Sequence, residues 1–391
     1  MRRVANKSNC YLPGPPPERA DYLDAQRGTV AAVQLVVPAV FDETFLDATA
    51  AAPITHLYGS LPDDPSLRES GWLPKTDPDG LAAWVARAAE GGRGFFYALN
   101  AGCLGNEEFT SEGQAWLVER LGWLVDIGAQ GVVLANPYLV AFTKARFPEL
   151  EVAVSTAACV DSVDKAEFYE RRGADVLYLP EYVNRDFRLL RELRKRISCR
   201  LVLLANVGCL LHCSLRNFHI QAISHSGKAQ QLGAYVDYSL MWCTSEKTRD
   251  PALMLKSPWI RPEDTAAYEA MGYDEFKLAG REMDRPWVER AVRAYTTRRH
   301  DGDLNELILG FDQMEPFGNV PVRIDNRALD GFIDFFHKKF DCRLGCRDCH
   351  YCDDWVDTAV RFEGDALAYS GRITRTLERY EQGAFRHRSG F

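Results

Sequence analysis

The sequence predicts an α/β protein built on a TIM-like (β/α)8 barrel with a helical, cysteine-rich C-terminal appendage. Eight short runs rich in β-branched and aromatic residues recur between residues 31 and 280. Most are continuously apolar and are separated by helix-compatible stretches, which is typical of parallel strands covered on both faces. Eight such strands close a barrel of about 250 residues. An open, doubly wound sheet is the alternative that periodicity leaves open.

Each predicted strand ends at a polar residue and is followed by a helical stretch. In chain order the strands are AAVQLVVPA (31–39), ITHLYGS (54–60), GFFYALN (94–100), GVVLAN (131–136), VAVST (152–156), ADVLYLPE (174–181), RLVLLAN (200–206) and DEFKLAG (274–280).

The chain divides into three predicted regions. Residues 1–30 contain PGPPPE among charged neighbours and are expected to form an irregular arm. The barrel occupies 31–300. From 301 to 391 the segments LNELILGF, ALDGFIDFFHKKF, DWVDTAVRF and ITRTLERYEQ have helical spacing and flank a cysteine-rich loop.

Composition excludes several classes of function. With 391 residues and 46% hydrophobic content, the chain can bury one large core. A net charge of −8 disfavours nucleic acid as a partner. No apolar run approaches the roughly 20 residues that cross a bilayer. The first residues lack the apolar segment of a signal peptide, so we expect a cytoplasmic protein with reduced thiols.

Seven of the eleven cysteines form two groups with metal-ligand spacing. The tail group, CRLGCRDCHYC, lies among arginine, aspartate and histidine residues that cannot form an apolar core. The spacing fits the usual pair of CxxC knuckles of a four-cysteine zinc site poorly, which favours an iron–sulfur cluster over zinc. The central group is Cys209, Cys213 and Cys243, and the tail group is Cys342, Cys346, Cys349 and Cys352.

Polar residues stand where the strands end, and in a barrel those positions converge on the C-terminal face that carries active sites. Glu181, Asn206 and Lys277 are the best candidates for substrate contact, because a carboxylate, an amide and an amine can move protons or donate hydrogen bonds. The other strand-end residues are Asn100, Asn136, Ser155 and Thr156.

Residues near the cysteine groups are further candidates. His212 and His219 flank the central cysteines and are possible ligands or proton donors. Cys103 follows the third strand and is the best outside candidate for a missing ligand, whereas Cys159 and Cys199 are interpreted as core residues.

Two segments resemble the peptidase U32 family. They are ANVGCLLHCSLRNFH, followed by the WC of 242–243, and KSPWIRPEDTAAYEAMGYDEFKLAGREMDRPWVERAVRAY. The resemblance covers roughly residues 31–300, and its most specific part runs from Arg261 through Lys277 to Arg281.

The resemblance implies a redox function rather than proteolysis. Relatives in this family include oxygen-independent hydroxylation proteins of the ubiquinone pathway and RNA-base hydroxylation factors, which carry a cysteine-bound [4Fe–4S] cluster. Carried over, Cys209, Cys213 and Cys243 would be cluster ligands, and Arg281 would join the catalytic candidates. The family's usual upstream cysteine pair is absent, so the tail could supply the fourth ligand or hold a second cluster.

The leading hypothesis is therefore an iron–sulfur enzyme with one or two clusters. It would hydroxylate or otherwise modify a small molecule. An electron donor or a U32-like protein would be its partner. A radical S-adenosylmethionine enzyme is an alternative, because the tail contains C-x3-C-x2-C, although that motif normally follows the first strand. A non-catalytic electron-transfer scaffold is another. A peptidase is disfavoured because HExxH, GxSxG and an evident His/Asp pair around a nucleophile are all absent.

Overall fold

Eight parallel strands close into a barrel in a computed structural model of the chain. The structure describes residues 33–226, 235–311, 317–338, 342, 346 and 348–383. Strand order follows chain order, and the first strand pairs with both the second and the eighth, so the predicted closed barrel is confirmed over the open sheet. The strands are β1 Gln34–Pro38, β2 Ile54–Gly59, β3 Gly94–Leu99, β4 Gly131–Leu134, β5 Glu151–Val154, β6 Val176–Leu179, β7 Arg200–Leu204 and β8 Glu275–Lys277.

Helices follow the strands and cover the outside of the barrel. Many begin at a side-chain cap: Asp77 accepts from Gly80 N at 2.7 Å, and Thr110 accepts from Gly113 N at 2.9 Å. The barrel helices are α1 Glu43–Ala48, α2 Pro78–Glu90, α3 Ser111–Asp126, α4 Pro137–Arg146, α5 Val163–Arg171 and α6 Phe187–Arg196.

A long excursion separates β7 from β8 and carries the central cysteines. In a barrel of this kind the loops that follow the strands build the mouth where active sites form. The helices among its described residues are α7 Arg216–Ser224, α8 Tyr238–Arg249, α9 Ala252–Lys256 and α10 Thr265–Glu269, and α11 Arg285–Thr297 follows β8.

The barrel interior is filled by side chains rather than by solvent, as in other eight-stranded barrels. Tyr58 and Tyr178 are the largest apolar members of this layer, and Lys277 reaches into it from β8. The layer consists of Val36, Tyr58, Phe96, Val133, Ala153, Val176, Tyr178 and Val202.

The region after residue 301 is only partly helical. β9 Val322–Ile324 and β10 Val360–Phe362 form an antiparallel pair, so the helical prediction for the end of DWVDTAVRF is wrong. A three-residue strand is too short to show a period of two, and the β-favouring residues Val360 and Phe362 are a weak local signal. The helices here are α12 Asp334–Lys338, α13 Val356–Ala359 and α14 Ala366–Glu381.

Helix α14 packs along α8, the helix that carries Cys243. Met241 of α8 lies in one apolar cluster with Tyr369 and Ile373 of α14, and Ser245 and Ser370 share a 2.9 Å hydrogen bond. The C-terminal region thus supports the excursion that holds the central cysteines. The predicted arm at 1–30 lies outside the described residues, and no described helix is long and apolar enough to span a bilayer.

Candidate active site at the barrel mouth

Three strand-end residues are used to hold loops. Asn136 caps α4 by accepting from Tyr138 N at 2.9 Å. Asn100 accepts from Leu67 N at 3.1 Å and donates to Ser155 Oγ at 3.2 Å. Their position at the mouth agrees with the sequence analysis, but their polar atoms bind neighbouring loops.

Asn206 is also tied to the backbone. Its amide nitrogen donates to the carbonyls of Ala279 and Leu307 at 3.2 and 3.1 Å, and its oxygen accepts from Ala279 N at 2.7 Å. The side chain is fully buried. This arrangement fastens β7 to the segment after β8 and favours a structural role over the predicted catalytic one.

Glu181 forms a buried ion pair with Arg216 of α7. Both carboxylate oxygens accept from the guanidinium, one of them at 3.2 Å from Nη2. The Arg216 Cζ lies 4.7 Å from the Tyr182 ring centroid. The two-point geometry orients the carboxylate firmly toward α7.

The central cysteines lie close to one another beside this ion pair. Cys209 is influenced by the charges of Cys243 and Glu181, and Cys243 by that of Cys213. All three are free thiols and are half-buried. Cys243 therefore lies within electrostatic range of both Cys209 and Cys213, and their predicted role as ligands stays a prediction.

Burial raises the pKa of the Cys209 thiol to about 12, with Glu181 adding to the shift and Arg216 and Lys247 opposing it. Burial also raises the pKa of Cys243, against the effect of Lys247 one helical turn away. These thiols therefore hold their protons at neutral pH unless a metal or a stronger positive charge displaces them.

Two histidines flank the group, as predicted. His212 is exposed, has a left-handed backbone with φ of 57°, and donates from Nε2 to the Cys342 carbonyl at 3.3 Å. His219 Nε2 lies 3.2 Å from Asp237 Oδ2, and Asp237 in turn acts on Cys243. This His–Asp pair was not evident from the sequence, because its members lie on different elements.

The four tail cysteines line one narrow cavity. Leu211, from the loop between Cys209 and Cys213, also lines it, so the two cysteine groups are neighbours. Cys342, Cys346, Cys349 and Cys352 share the cavity with Arg185, Lys256, Phe335, Phe336 and Tyr351.

Arg185 is a buried cation that faces the tail thiols. Its Nη1 donates to the Leu255 carbonyl at 2.6 Å, and its Nη2 has no hydrogen-bond partner among the described residues. Aromatic rings surround it, with the Phe336 centroid 4.6 Å from Cζ. Burial lowers its pKa, and the neighbouring Cys352 and Cys342 act in the opposite direction.

A second cationic cluster lies above the β8 end of the barrel. Lys277 Nζ is 2.7 Å from the Tyr58 ring centroid and has no hydrogen-bond partner in the described residues. Burial, with Arg281 and Arg68 nearby, places the pKa of Lys277 well below its usual value. Burial and Arg68 likewise lower the pKa of Arg281 to about 10.

The sequence family can be identified at this point. The model of peptidase family U32 matches residues 74–306, which is more than half of the chain. The chain belongs to peptidase family U32. It is 35% identical to the uncharacterized protease MJ1657 of Methanocaldococcus jannaschii over 289 residues, covering 74% of this chain and 84% of that protein.

Two solved structures match this chain at low sequence identity. The U32 peptidase Mk0906 superposes with a TM-score of 0.48 at 22% identity, covering 64% of this chain and 95% of that one. The YdjI aldolase of Escherichia coli K12 gives a TM-score of 0.32 at 14% identity, covering 64% and 92%.

The cysteines of this U32 family member supply the donor type of an iron–sulfur site. Cys243 is within electrostatic range of Cys209 and Cys213, and four thiols line the tail cavity beside an arginine with an unpaired donor. In their present positions, however, no three His, Cys, Asp or Glu side chains of the described residues converge enough to hold a metal ion. Coordination would require the thiols to turn toward a common point.

Of the two cysteines interpreted as core residues, Cys199 packs against the hydrophobic core, whereas Cys159 does not. Cys159 and Cys199 are both half-buried, and Cys159 has a left-handed backbone with φ of 53°. Cys159 follows β5 at the mouth and acts on Tyr182 and Arg216. Its position after a predicted strand could have indicated a place at the barrel mouth, but its apolar sequence neighbours suggested a core residue instead.

Cys103 does lie on the predicted face. It lines a cavity of about 270 Å³ formed by the loops after β2 and β3 and by the residues at the end of α7. Its sulfur accepts from Gly105 N at 3.3 Å. Arg68 lines the same cavity and connects it to the Lys277 cluster.

Proposed function

We propose that this U32 protein is an iron–sulfur-dependent redox enzyme that modifies a small molecule, most simply by oxygen-independent hydroxylation or a related oxygen-transfer step. The observation that supports the proposal is the position of Cys209 and Cys213 in the segment after β7, at the end of the barrel where this fold forms its active sites, with Cys243 on α8 within electrostatic range. A bound cluster would supply one-electron redox chemistry beside the substrate.

The surroundings of the central cysteines support metal binding over nucleophilic catalysis. A nucleophilic cysteine needs a lowered pKa, whereas burial raises the pKa of Cys209 and Cys243. Metal binding displaces thiol protons, and Lys247 and Arg216 provide positive charge that favours the resulting thiolates. Iron loading should therefore improve as pH rises.

The tail cavity supports a second cluster. A cluster held by thiolates carries net negative charge, and burying a charge requires a compensating partner. Arg185 meets that need, because it is buried beside the tail cysteines and its Nη2 has no partner among the described residues. Proximity of the tail to the Cys209–Cys213 loop suits electron transfer from a donor protein to the mouth.

The tail fits the radical S-adenosylmethionine alternative poorly. That chemistry needs an iron left open by three cysteines, whereas four tail cysteines line one cavity. The C-x3-C-x2-C motif also follows all eight barrel strands. Reduced protein is expected to yield no 5′-deoxyadenosine from S-adenosylmethionine, and its appearance in a Cys346-dependent manner would favour the alternative.

A peptidase is the second candidate function. The family name and the relative described as an uncharacterized protease favour it. The His219–Asp237 pair near Cys243 is the constellation that such an activity would use. The raised pKa of Cys243 counts against it, since a cysteine peptidase operates with a thiolate.

Anaerobic purification followed by iron and sulfide analysis tests the proposal. We expect a brown protein with about four or about eight irons per chain. Cys209→Ala, Cys213→Ala and Cys243→Ala should each lose iron. Cys199→Ala should retain it, because Cys199 directly precedes β7, at the end of the barrel opposite the mouth. Stoichiometric zinc in a colourless protein, or Cys243-dependent cleavage of a fluorescent casein substrate, would refute the redox proposal.

A further inference from the structure

Arg281 is a buried guanidinium whose charge is not balanced by an ion pair. It is 5% exposed, and Nη1 donates to Ser60 Oγ at 3.2 Å. Within the described residues it forms no salt bridge, and the neighbouring Glu282 is held by Arg68 at 2.9 Å. A guanidinium has five donors, so most of its hydrogen-bonding capacity remains available.

Two other buried arginines are compensated by carboxylates, whereas Arg185 faces the tail thiols. Arg261 pairs with Asp264 at 2.9 Å, and Arg216 pairs with Glu181. Arg93 has no carboxylate, but its guanidinium donates to the Leu46 carbonyl and to Thr49. An uncompensated buried cation is costly, so Arg281 is set apart from these structural arginines.

Lys277 adds a second polar group with no partner at the same place. Its Nζ is buried, lies 2.7 Å from the Tyr58 ring centroid, and has no hydrogen-bond partner among the described residues. Arg281 Cζ lies 5.9 Å from the centroid of the same ring. Tyr58 itself is fixed by a 2.8 Å hydrogen bond to the Leu278 carbonyl. The two groups therefore flank one rigid ring at the β8 end of the barrel.

Arg68 lies between this pair and the cavity at the barrel rim. It acts electrostatically on both Lys277 and Arg281, and its side chain lines the cavity of about 270 Å³ at the rim. Because Glu282 neutralises Arg68, the cluster has an excess of positive charge carried by Arg281. A small anion at this rim would be attracted by the positive charge of Arg281, which Arg68 separates from the cavity.

We propose that Arg281, with Lys277 and Ser60, forms a binding site for the oxyanion group of a small molecule, a carboxylate or a phosphate. Carboxylates and phosphates accept two parallel hydrogen bonds from one guanidinium, which is the geometry that arginine recognises best. The identification of this molecule as the substrate rests on the proposed function, but its binding does not require turnover or iron.

Calorimetric titration of the full chain with inorganic phosphate and with succinate, at constant ionic strength set by chloride, tests the site. Binding of either probe is expected, and the tighter one identifies the oxyanion class. Arg281→Gln should weaken it about tenfold or more, since hydrogen bonds to a charged group are lost. Arg290→Gln, a half-exposed arginine on the following helix α11, should bind as the unaltered protein does.

Two further measurements keep the result interpretable. Arg281→Lys retains the charge and should bind more tightly than Arg281→Gln, and circular dichroism establishes that each variant is folded. Iron content is measured on the same samples, so loss of anion binding with normal iron separates this inference from the proposed function. Binding of neither probe, or equal binding in Arg281→Gln, would overturn the site.

Discussion

Lys277 shows how a single buried residue can work against stability. It lies among barrel-interior rings rather than carboxylates, and its pKa is lowered chiefly by burial. Between the lowered pKa of the folded chain and the pKa of the unfolded chain, the unfolded chain holds a proton on this amine that the folded chain releases. Stability therefore rises with pH from the lowered folded pKa up to the unfolded value of about 10.4.

We expect Lys277→Met to stabilise the protein at pH 7 by about 1 kcal/mol or more, because an apolar side chain replaces a buried amine that lacks a partner. The gain should shrink as pH approaches about 10.4, where the unfolded amine also loses its proton. Urea unfolding at pH 6, 7, 8 and 9 measures both effects.

Lys195→Met provides the matched control, because Lys195 is an exposed lysine on α6 with a surface ion pair. Its effect should stay within about 0.5 kcal/mol and should not vary across this pH range. A destabilisation by Lys277→Met of equal size at every pH would contradict the account of Lys277 as a buried amine with a lowered pKa.

At this scale the sequence predicts where residues lie better than what they touch. The strand-end rule predicts Glu181, Asn206 and Lys277 at the mouth, and all three lie at or just after the carboxyl end of a strand, with the Lys277 amine turned into the barrel interior. The rule cannot show that the Asn206 amide is hydrogen-bonded to backbone groups, because those partners come from loops distant in sequence. For the same reason it cannot show that the Lys277 amine has no hydrogen-bond partner among the described residues. Arg216 and Arg185 were missed for the same reason.

At the scale of elements, the Glu181–Arg216 pair joins the end of β6 to α7. Both side chains are largely buried, so removal of one charge leaves the other without compensation. Glu181→Gln is expected to destabilise the protein by about 3 kcal/mol and to loosen α7 next to the central cysteines. Urea unfolding measures the loss, and limited proteolysis in the excursion locates it.

The control for this variant is Glu167→Gln on α5. Its ion pair with Arg171 is exposed on the helix surface, so the change should cost no more than about 0.5 kcal/mol. If Glu181→Gln had an equally small effect and left proteolysis unchanged, the pair would not hold α7, and the Glu181 carboxylate would be available for another role at the mouth.

Elements differ in how far the sequence reveals them. The barrel strands are apolar runs because helices and interior side chains cover both faces, and such runs are visible without a structure. β9 and β10 have three residues each, and their pairing depends on chain segments almost 40 residues apart, which no local pattern encodes. The excursion between β7 and β8 likewise takes its course from tertiary contacts, such as that of α8 with α14.

For the whole molecule, the central question is whether the two cysteine groups form one centre or two. The groups are adjacent, since Leu211 lines the tail cavity and His212 donates to the Cys342 carbonyl. Each nevertheless has its own charged neighbours. Lys247 and Arg216 act on the central thiols, whereas Arg185 and Lys256 act on the tail.

Separate surroundings lead us to expect two clusters. Iron content should then be about eight per chain, and it should fall to about four in Cys213→Ala and in Cys346→Ala, and close to zero when the two changes are combined. Arg185→Met should weaken only the tail cluster, because it removes the buried positive charge beside those four thiols while leaving the mouth unchanged. Iron and sulfide analysis of the anaerobic proteins, with electron paramagnetic resonance after reduction, distinguishes the cases. Loss of all iron from either single variant would instead mean one cluster shared between mouth and tail, with the contact of His212 and Cys342 holding its ligands together.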